Sequence, residues 1–188
     1  MTESKIPIFI SGKIIDLLPM NPNHLPLFCQ WENNPKVRKY DRNEFPITVE
    51  ECKKFLESGE SRVKTRIMFE IWHKKDQKPI GYCEIDDISW VDHRAHIGIT
   101  IGEMEYWGRG IGTETIKLLN EYCFNELNFH KIAAEALAPN KGSQRCLEKN
   151  GFKYEGKLKE ETYVDGKFID LFKYCLLTDD WLKIKERE

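Results

Sequence analysis

Ile97-Gly98-Ile99-Thr100-Ile101, followed closely by Trp107-Gly108-Arg109-Gly110-Ile111-Gly112-Thr113-Glu114, is the stretch on which the fold turns. Ala95, Ile97, Ile99 and Ile101 alternate with His96, Gly98 and Thr100, the period of a strand. The glycines at 108, 110 and 112 leave backbone N–H groups open to an approaching ligand. A helix is predicted next, roughly Thr113 to Leu127, with Ile116, Leu119, Cys123 and Leu127 on one apolar stripe. Its first turn offers unpaired N–H donors and a positive dipole end. Arg109 adds a fixed charge. A strand, an open turn and a helix N-terminus make a seat for a pyrophosphate, although a plain tight turn would share the glycines. A P-loop would need Lys then Ser or Thr at the end of the turn, and Thr113-Glu114 follows Gly112 instead. A dinucleotide fold would place its glycines after an early strand of an alternating βαβ unit, and here they follow several antiparallel-looking strands.

Those strands are predicted at Ile67 to Ile71 and, after Lys78-Pro79, at Ile80 to Ile88. Further upstream, an opening strand is expected at Ile8 to Leu17. Leu25, Phe28 and Trp31 mark a short helix. Thr48-Val49-Glu50-Glu51 is a capping box that starts another, with Cys52, Phe55 and Leu56 inward. Downstream, Lys131 to Ala138 reads as a buried strand. A helix from about Gly142 stops at Asn150-Gly151-Phe152, with Phe152 packing back on Leu147. Asp165-Gly166 between Thr162–Val164 and Phe168–Leu177 signals a hairpin. The order is that of a mixed α/β sheet, α+β-like rather than doubly wound. No repeat or flexible linker interrupts it, so residues 1–188 read as one domain.

Composition narrows the function. A formal net charge of -2 argues against a protein built to grip nucleic acid. The six cysteines are dispersed, with no C-x-x-C pair, so they read as reduced thiols rather than a disulfide framework or a zinc site. His93 and His96, three apart, would point to opposite faces of a strand. No apolar run approaches bilayer length and no leader pattern opens the chain, so a cytoplasmic location is expected, with no membrane partner.

Taken together, these motifs resemble the GNAT N-acetyltransferases. The turn Trp107–Gly112 is similar to the acetyl-CoA motif Arg/Gln-x-x-Gly-x-Gly/Ala, with Trp107 at the position the family gives to a basic or amide residue. Asn140-Lys141-Gly142-Ser143 with Glu148-Lys149-Asn150-Gly151-Phe152 resembles the second signature of the family. The run Glu155-Gly156 through Tyr163-Val164-Asp165-Gly166-Lys167 and Asp170 resembles the hairpin of the RimJ/RimL ribosomal-protein branch, as does Trp31-Glu32-Asn33-Asn34-Pro35 with Val37. The resemblance implies the GNAT fold: a central, mostly antiparallel twisted sheet with a splayed central strand pair, flanked by helices. It implies acetyl-CoA as cosubstrate and an amine as acceptor, either a protein N-terminus or a small amine such as a polyamine, amino sugar or aminoglycoside. A non-catalytic acetyl-CoA sensor is the alternative, and a homodimer is a family analogy. The pantetheine arm would lie along Ile99, Thr100 and Ile101. The pyrophosphate would rest on Trp107, Gly108, Arg109, Gly110, Ile111, Gly112 and Thr113, with Asn140 and Ser143 on the arm.

Acetyl transfer needs a neutral amine, and the departing thiolate benefits from a proton donor. Direct attack needs no nucleophilic cysteine, so Cys123 and Cys146 read as packing residues. Glu84 is the first candidate base, since Cys83 and Ile85 take the other face of its strand. His96 and Glu103 are alternatives. Leu147 stands where many GNAT enzymes carry a tyrosine acid, which leaves Ser143 as candidate donor or helix cap. Lys36, Arg38, Lys39 and Arg42 around Tyr40 read as a solvated loop that could also meet an acidic group. Trp72 and Trp90 read as packing, with the amine pocket as alternative.

Overall fold

The computed structural model describes residues 7–41, 44–57 and 63–187. Alternating apolar residues build a sheet of β1 (Ile10–Ser11), β2 (Ile15–Pro19), β3 (Ile67–His73), β4 (Lys78–Ser89), β5 (Arg94–Thr100), β6 (Lys131–Leu137), β7 (Lys153–Val164) and β8 (Lys167–Leu177). Their order across the sheet is β1-β2-β3-β4-β5-β6-β8-β7. Every neighbouring pair is antiparallel except β5 and β6, which run parallel. The helices are α1 (Leu25–Asn33), α2 (Pro35–Asp41), α3 (Val49–Glu57), α4 (Ile111–Asn125), α5 (Lys141–Lys149) and α6 (Thr178–Lys185). This is the mixed α/β architecture that the sequence implies.

The period of two on β4 sorts its side chains between two cores. Cys83 and Ile85 join the main core with Ile116, Leu119 and Cys123 of α4. Tyr82 enters a second core with Leu25, Phe28 and Trp31 of α1 and Cys52 of α3. Each fully buried leucine or isoleucine contributes about 1.5–3 kcal/mol against exposure. Glu84 shares the face of Tyr82, so α1 to α3 form one wall of its surroundings.

Several local signals hold. The Thr48 hydroxyl accepts from Glu51 N–H at 3.2 Å, while the Glu51 carboxylate accepts from Thr48 N–H at 2.8 Å, a reciprocal capping box. Asp165 and Gly166 both have positive φ, 49° and 80°, as a type I′ turn requires. Phe152 N–H donates to Leu147 C=O at 3.1 Å, closing α5.

Other expectations are corrected. The opening segment is a hairpin, β1 and β2, rather than one strand. Its turn is held by the Glu114 carboxylate, which accepts from the N–H groups of Lys13 and Ile14. The basic stretch is helix α2 rather than a loop, because Pro35 suits a first helical turn and the Asn34 side chain accepts from Lys36 N–H at 3.0 Å. Arg42 lies outside the described residues. Helix α4 starts two residues early, at Ile111, so Gly112 and Thr113 belong to its first turn. His93 sits in the turn before β5, not on the strand. Helix α6, with Trp181 stacked on Phe124 at 5.1 Å, carried no periodic signal strong enough to be read. Among the described residues no helix is long and apolar enough to cross a membrane.

Candidate active site

Strands β5 and β6 pair only at Arg94–Lys131, Ala95–Ile132 and His96–Ala133. Beyond that point they part, leaving the second half of β5 without a partner on that side. The gap opens into a cleft of about 1020 Å³. Its walls include Glu84, His96, Ile99, Thr100, Ile101, Trp107, Gly108, Gly110, Ile111, Gly112, Thr113, Asn140 and Ser143, all singled out from the sequence.

One part of the cleft has the features that suit an anion. Gly108 and Gly110 have φ of +74° and +83°, and a side chain added at either would meet nothing within 4 Å. Gly110 is the N-cap of α4, so the turn presents open backbone at a helix N-terminus. Arg109 does not join the wall; its guanidinium lies over the Tyr106 ring at 5.4 Å. The cations come from Lys141, Arg145 and Lys149, four apart on one face of α5 and all lining the cleft. That spacing is present in the sequence itself. Trp107 ties the end of β5 to the turn, its indole N–H donating to Ile101 C=O at 2.7 Å. Asn140 caps α5 by accepting from Ser143 N–H at 3.1 Å, so Ser143 is not the cap. Cys123 is buried in the main core, whereas Cys146 lines the cleft, 3.4 Å from the Thr113 hydroxyl.

The other part is acidic. Glu84 lies opposite Gly98 on β5, and its surroundings include Asp41, Asp86, His96 and Arg66. Burial is the main reason its carboxyl is pushed up to about 7; Asp86 and Asp41 add to the rise, and Arg66 and His96 oppose it. Arg66 Nε stands 3.4 Å from Glu84 Oε2, without hydrogen-bond geometry, and its guanidinium rests over the Phe55 ring. His96 Nδ1 meets Asp86 Oδ1 at 3.1 Å. Burial works against its charged form, but Asp86, Glu135 and Glu84 outweigh burial and hold its pKa above the ordinary value. Glu103 is set apart from the cleft wall and accepts from the Trp31 indole N–H at 3.0 Å. Trp90 packs on Phe129 and Trp72 on His24, outside the cleft. Leu147 is buried in the cleft wall and offers no proton.

Residues 15–153 match the acetyltransferase (GNAT) domain family. The chain belongs to the GNAT acetyltransferase family. As a GNAT N-acetyltransferase it takes its acetyl group from acetyl-CoA. It is 28% identical to N-acetyltransferase p20 of Bacillus licheniformis, over 89% of this chain and 94% of that one. It is 27% identical to spermidine N(1)-acetyltransferase of Escherichia coli, over 92% and 90% of the two chains. Its fold matches the crystal structure of spermidine N-acetyltransferase from Vibrio cholerae in complex with CoA and spermine. The TM-score is 0.83 at 23% identity, covering 91% of this chain and 99% of that one.

Within this GNAT acetyltransferase, sequence reasoning missed Asp41 and Asp86. Asp41 hides at the end of a run of cations, and Asp86 carries no motif. Asp41 accepts from the Thr100 hydroxyl at 2.8 Å and from the Tyr82 hydroxyl at 2.5 Å, which brings α2 onto β4 and β5.

Proposed function

We propose that this GNAT acetyltransferase acetylates a small cationic amine of the polyamine kind. The observation that carries the reading is the half-buried Glu84 with Asp41 and Asp86 beside it, in the same cleft as the glycine turn. Clustered carboxylates favour an acceptor that arrives positively charged. The name of the Escherichia coli relative points the same way.

Acetyl-CoA supplies the thioester carbonyl. Its pyrophosphate fits the N–H groups of residues 108–113, and Lys141, Arg145 and Lys149 supply charge that Arg109 does not direct into the cleft. The backbone of Ile99 to Ile101, left unpaired toward β6, can hold the pantetheine arm, with Asn140 alongside. Glu84 takes the proton of the acceptor ammonium; a carboxylate poised near neutrality both accepts and releases that proton readily. The freed amine attacks the carbonyl; the nitrogen then gives up a second proton, the carbon–sulfur bond breaks, and the leaving thiolate takes up a proton, giving the amide and free coenzyme A thiol. Ser143, at the start of α5, is the side-chain donor nearest in role to the tyrosine that Leu147 replaces.

The RimJ/RimL-like reading rests on the hairpin β7–β8 and on Trp31-Glu32-Asn33-Asn34-Pro35 with Val37, and would make the acceptor a protein N-terminus. Such a terminus brings a single ammonium, which the acidic wall rewards less than a polycation. Thiol release from acetyl-CoA, followed with spermidine, a simple monoamine and a ribosomal-protein N-terminal peptide, separates the readings. Spermidine is expected to give the highest kcat/KM. Preference for the peptide would overturn the small-amine reading, and coenzyme A binding with no amine-dependent release would overturn both.

A further inference from the structure

The part of the cleft that suits an anion has two halves. The glycine turn and the first turn of α4 present backbone donors, and Lys141, Arg145 and Lys149 of α5 present charge. Both halves can serve one ligand only if α4 and α5 keep a fixed separation. No backbone ladder joins two helices, so side chains must set that separation.

Asn150 spans the gap. Its Nδ2 donates to Cys146 C=O at 2.8 Å, in the last turn of α5, and to Thr113 C=O at 3.1 Å, in the first turn of α4. Both partners are carbonyl oxygens, which only accept, so the group between them must be the amide nitrogen. The Cys146 carbonyl is among those that a helix leaves unpaired at its C-terminal end. The Thr113 carbonyl has lone pairs enough to take this bond beside a helical one. Next to the bridge, the Thr113 hydroxyl lies 3.4 Å from Cys146 Sγ, and a Cβ added at Gly112 would stand 3.5 Å from the same sulfur. The two helices therefore touch where the cleft is lined.

The stop of α5 fixes the point from which Asn150 reaches. Asn150 N–H and Phe152 N–H both donate to Leu147 C=O, at 3.0 and 3.1 Å. Gly151 takes φ of +84°, and a Cβ there would meet Ile184 Cδ1 of α6 at 2.1 Å. Backbone held by α5 and packed on α6 carries a short side chain with little freedom left to lose, which is preorganisation.

We propose that Asn150 is a positioning residue for the cofactor, holding α4 against α5 at the separation that lets the turn N–H groups and the α5 cations meet the phosphates of acetyl-CoA together. This role rests on the cofactor placement proposed above and is independent of which amine is the acceptor. The bridge acts on the phosphate end alone, so its loss weakens the hold on acetyl-CoA and leaves the chemistry beside Glu84 unchanged.

The test uses two neutral substitutions in the full chain: Asn150→Leu, similar in size without a donor, and Asn150→Ala, too short to span the gap. Thermal unfolding shows that each variant is folded. Calorimetry is expected to show coenzyme A binding weakened about tenfold, as fits the loss of two bridging hydrogen bonds. In the thiol-release assay KM for acetyl-CoA rises to match, while kcat and KM for the acceptor stay within about twofold of the parent. Coenzyme A affinity unchanged in a folded variant overturns the role. So does an equal loss in kcat and in the acceptor KM, the mark of a general loosening. Arg145→Gln and Gly110→Ala separate this failure from that of the placement. If they weaken coenzyme A binding and the Asn150 substitutions do not, the bridge alone falls. If none of the four does, the cofactor placement falls with it.

Discussion

Gly98 faces Glu84 across the β4–β5 ladder, and a Cβ at Gly98 would stand 3.2 Å from both Cγ and Oε1 of Glu84. The missing side chain is the space in which the carboxylate lies. Gly98→Ala leaves the ladder hydrogen bonds in place but pushes the carboxylate aside by a few tenths of an ångström or more. A 1 Å misplacement of a reacting group costs about a hundredfold in rate, so for the proposed base this smaller shift should cost up to about that amount. Steady-state kinetics on Gly98→Ala should show kcat reduced, by no more than about a hundredfold.

If Glu84 is the base, as proposed, Glu84→Gln should lower kcat by roughly 10²- to 10⁴-fold. In the unaltered enzyme the acidic limb of kcat/KM is expected to rise through about pH 7 as Glu84 ionises. The same shift acts on stability. The folded value lies above the ordinary 4.5, so the unfolded chain loses this proton first as pH rises. The penalty is absent below about 4.5, grows to about 7 and is constant above, with an upper bound of about 3 kcal/mol. Denaturant titrations at pH 5 and pH 8 should therefore show Glu84→Gln gaining stability relative to the parent at the higher pH.

Arg66 is the cation that partly offsets the burial of Glu84. Arg66→Met keeps an apolar stem over the Phe55 ring and removes the charge. The acidic limb of the pH–rate profile should move upward in this variant. An unmoved limb would show that the ion attraction across 3.4 Å is screened.

Gly110 caps α4 with φ of +83°, a conformation that costs an L-residue with a Cβ about 1–2 kcal/mol. Gly110→Ala should lower the unfolding free energy by about that amount. Because open space surrounds the position, steric collision adds nothing to the loss. Calorimetry should also show weaker coenzyme A binding, as the turn relaxes toward φ below zero.

Arg145 stands on the cleft face of α5, one turn from both Lys141 and Lys149. Arg145→Gln should weaken coenzyme A binding and flatten its salt dependence, since fewer cations then meet the phosphates. Arg109→Gln should matter less, because that guanidinium is directed onto Tyr106. Titrations at low and high ionic strength on the two variants provide the comparison.

The cofactor end of the site was legible from residues alone because its determinants are local. A period of two, glycines that accept positive φ, and a helix N-terminus are written within the eighteen positions from 97 to 114. The capping box at Thr48 and the turn at Asp165-Gly166 were readable for the same reason. The acceptor end was not. Asp41 closes a helix whose neighbours are cations, Tyr82 reads as a core aromatic, and Gly98 reads as one more small strand residue. Only antiparallel register sets Gly98 beneath Glu84, and only the packing of α2 on β4 and β5 brings Asp41 to Tyr82 and Thr100. Local sequence patterns were enough for the strand, the glycine turn and the helix N-terminus. Which carboxylates gather around Glu84 followed only from tertiary packing, because burial and charge proximity, which shift Glu84 to about 7, arise between residues far apart in the chain.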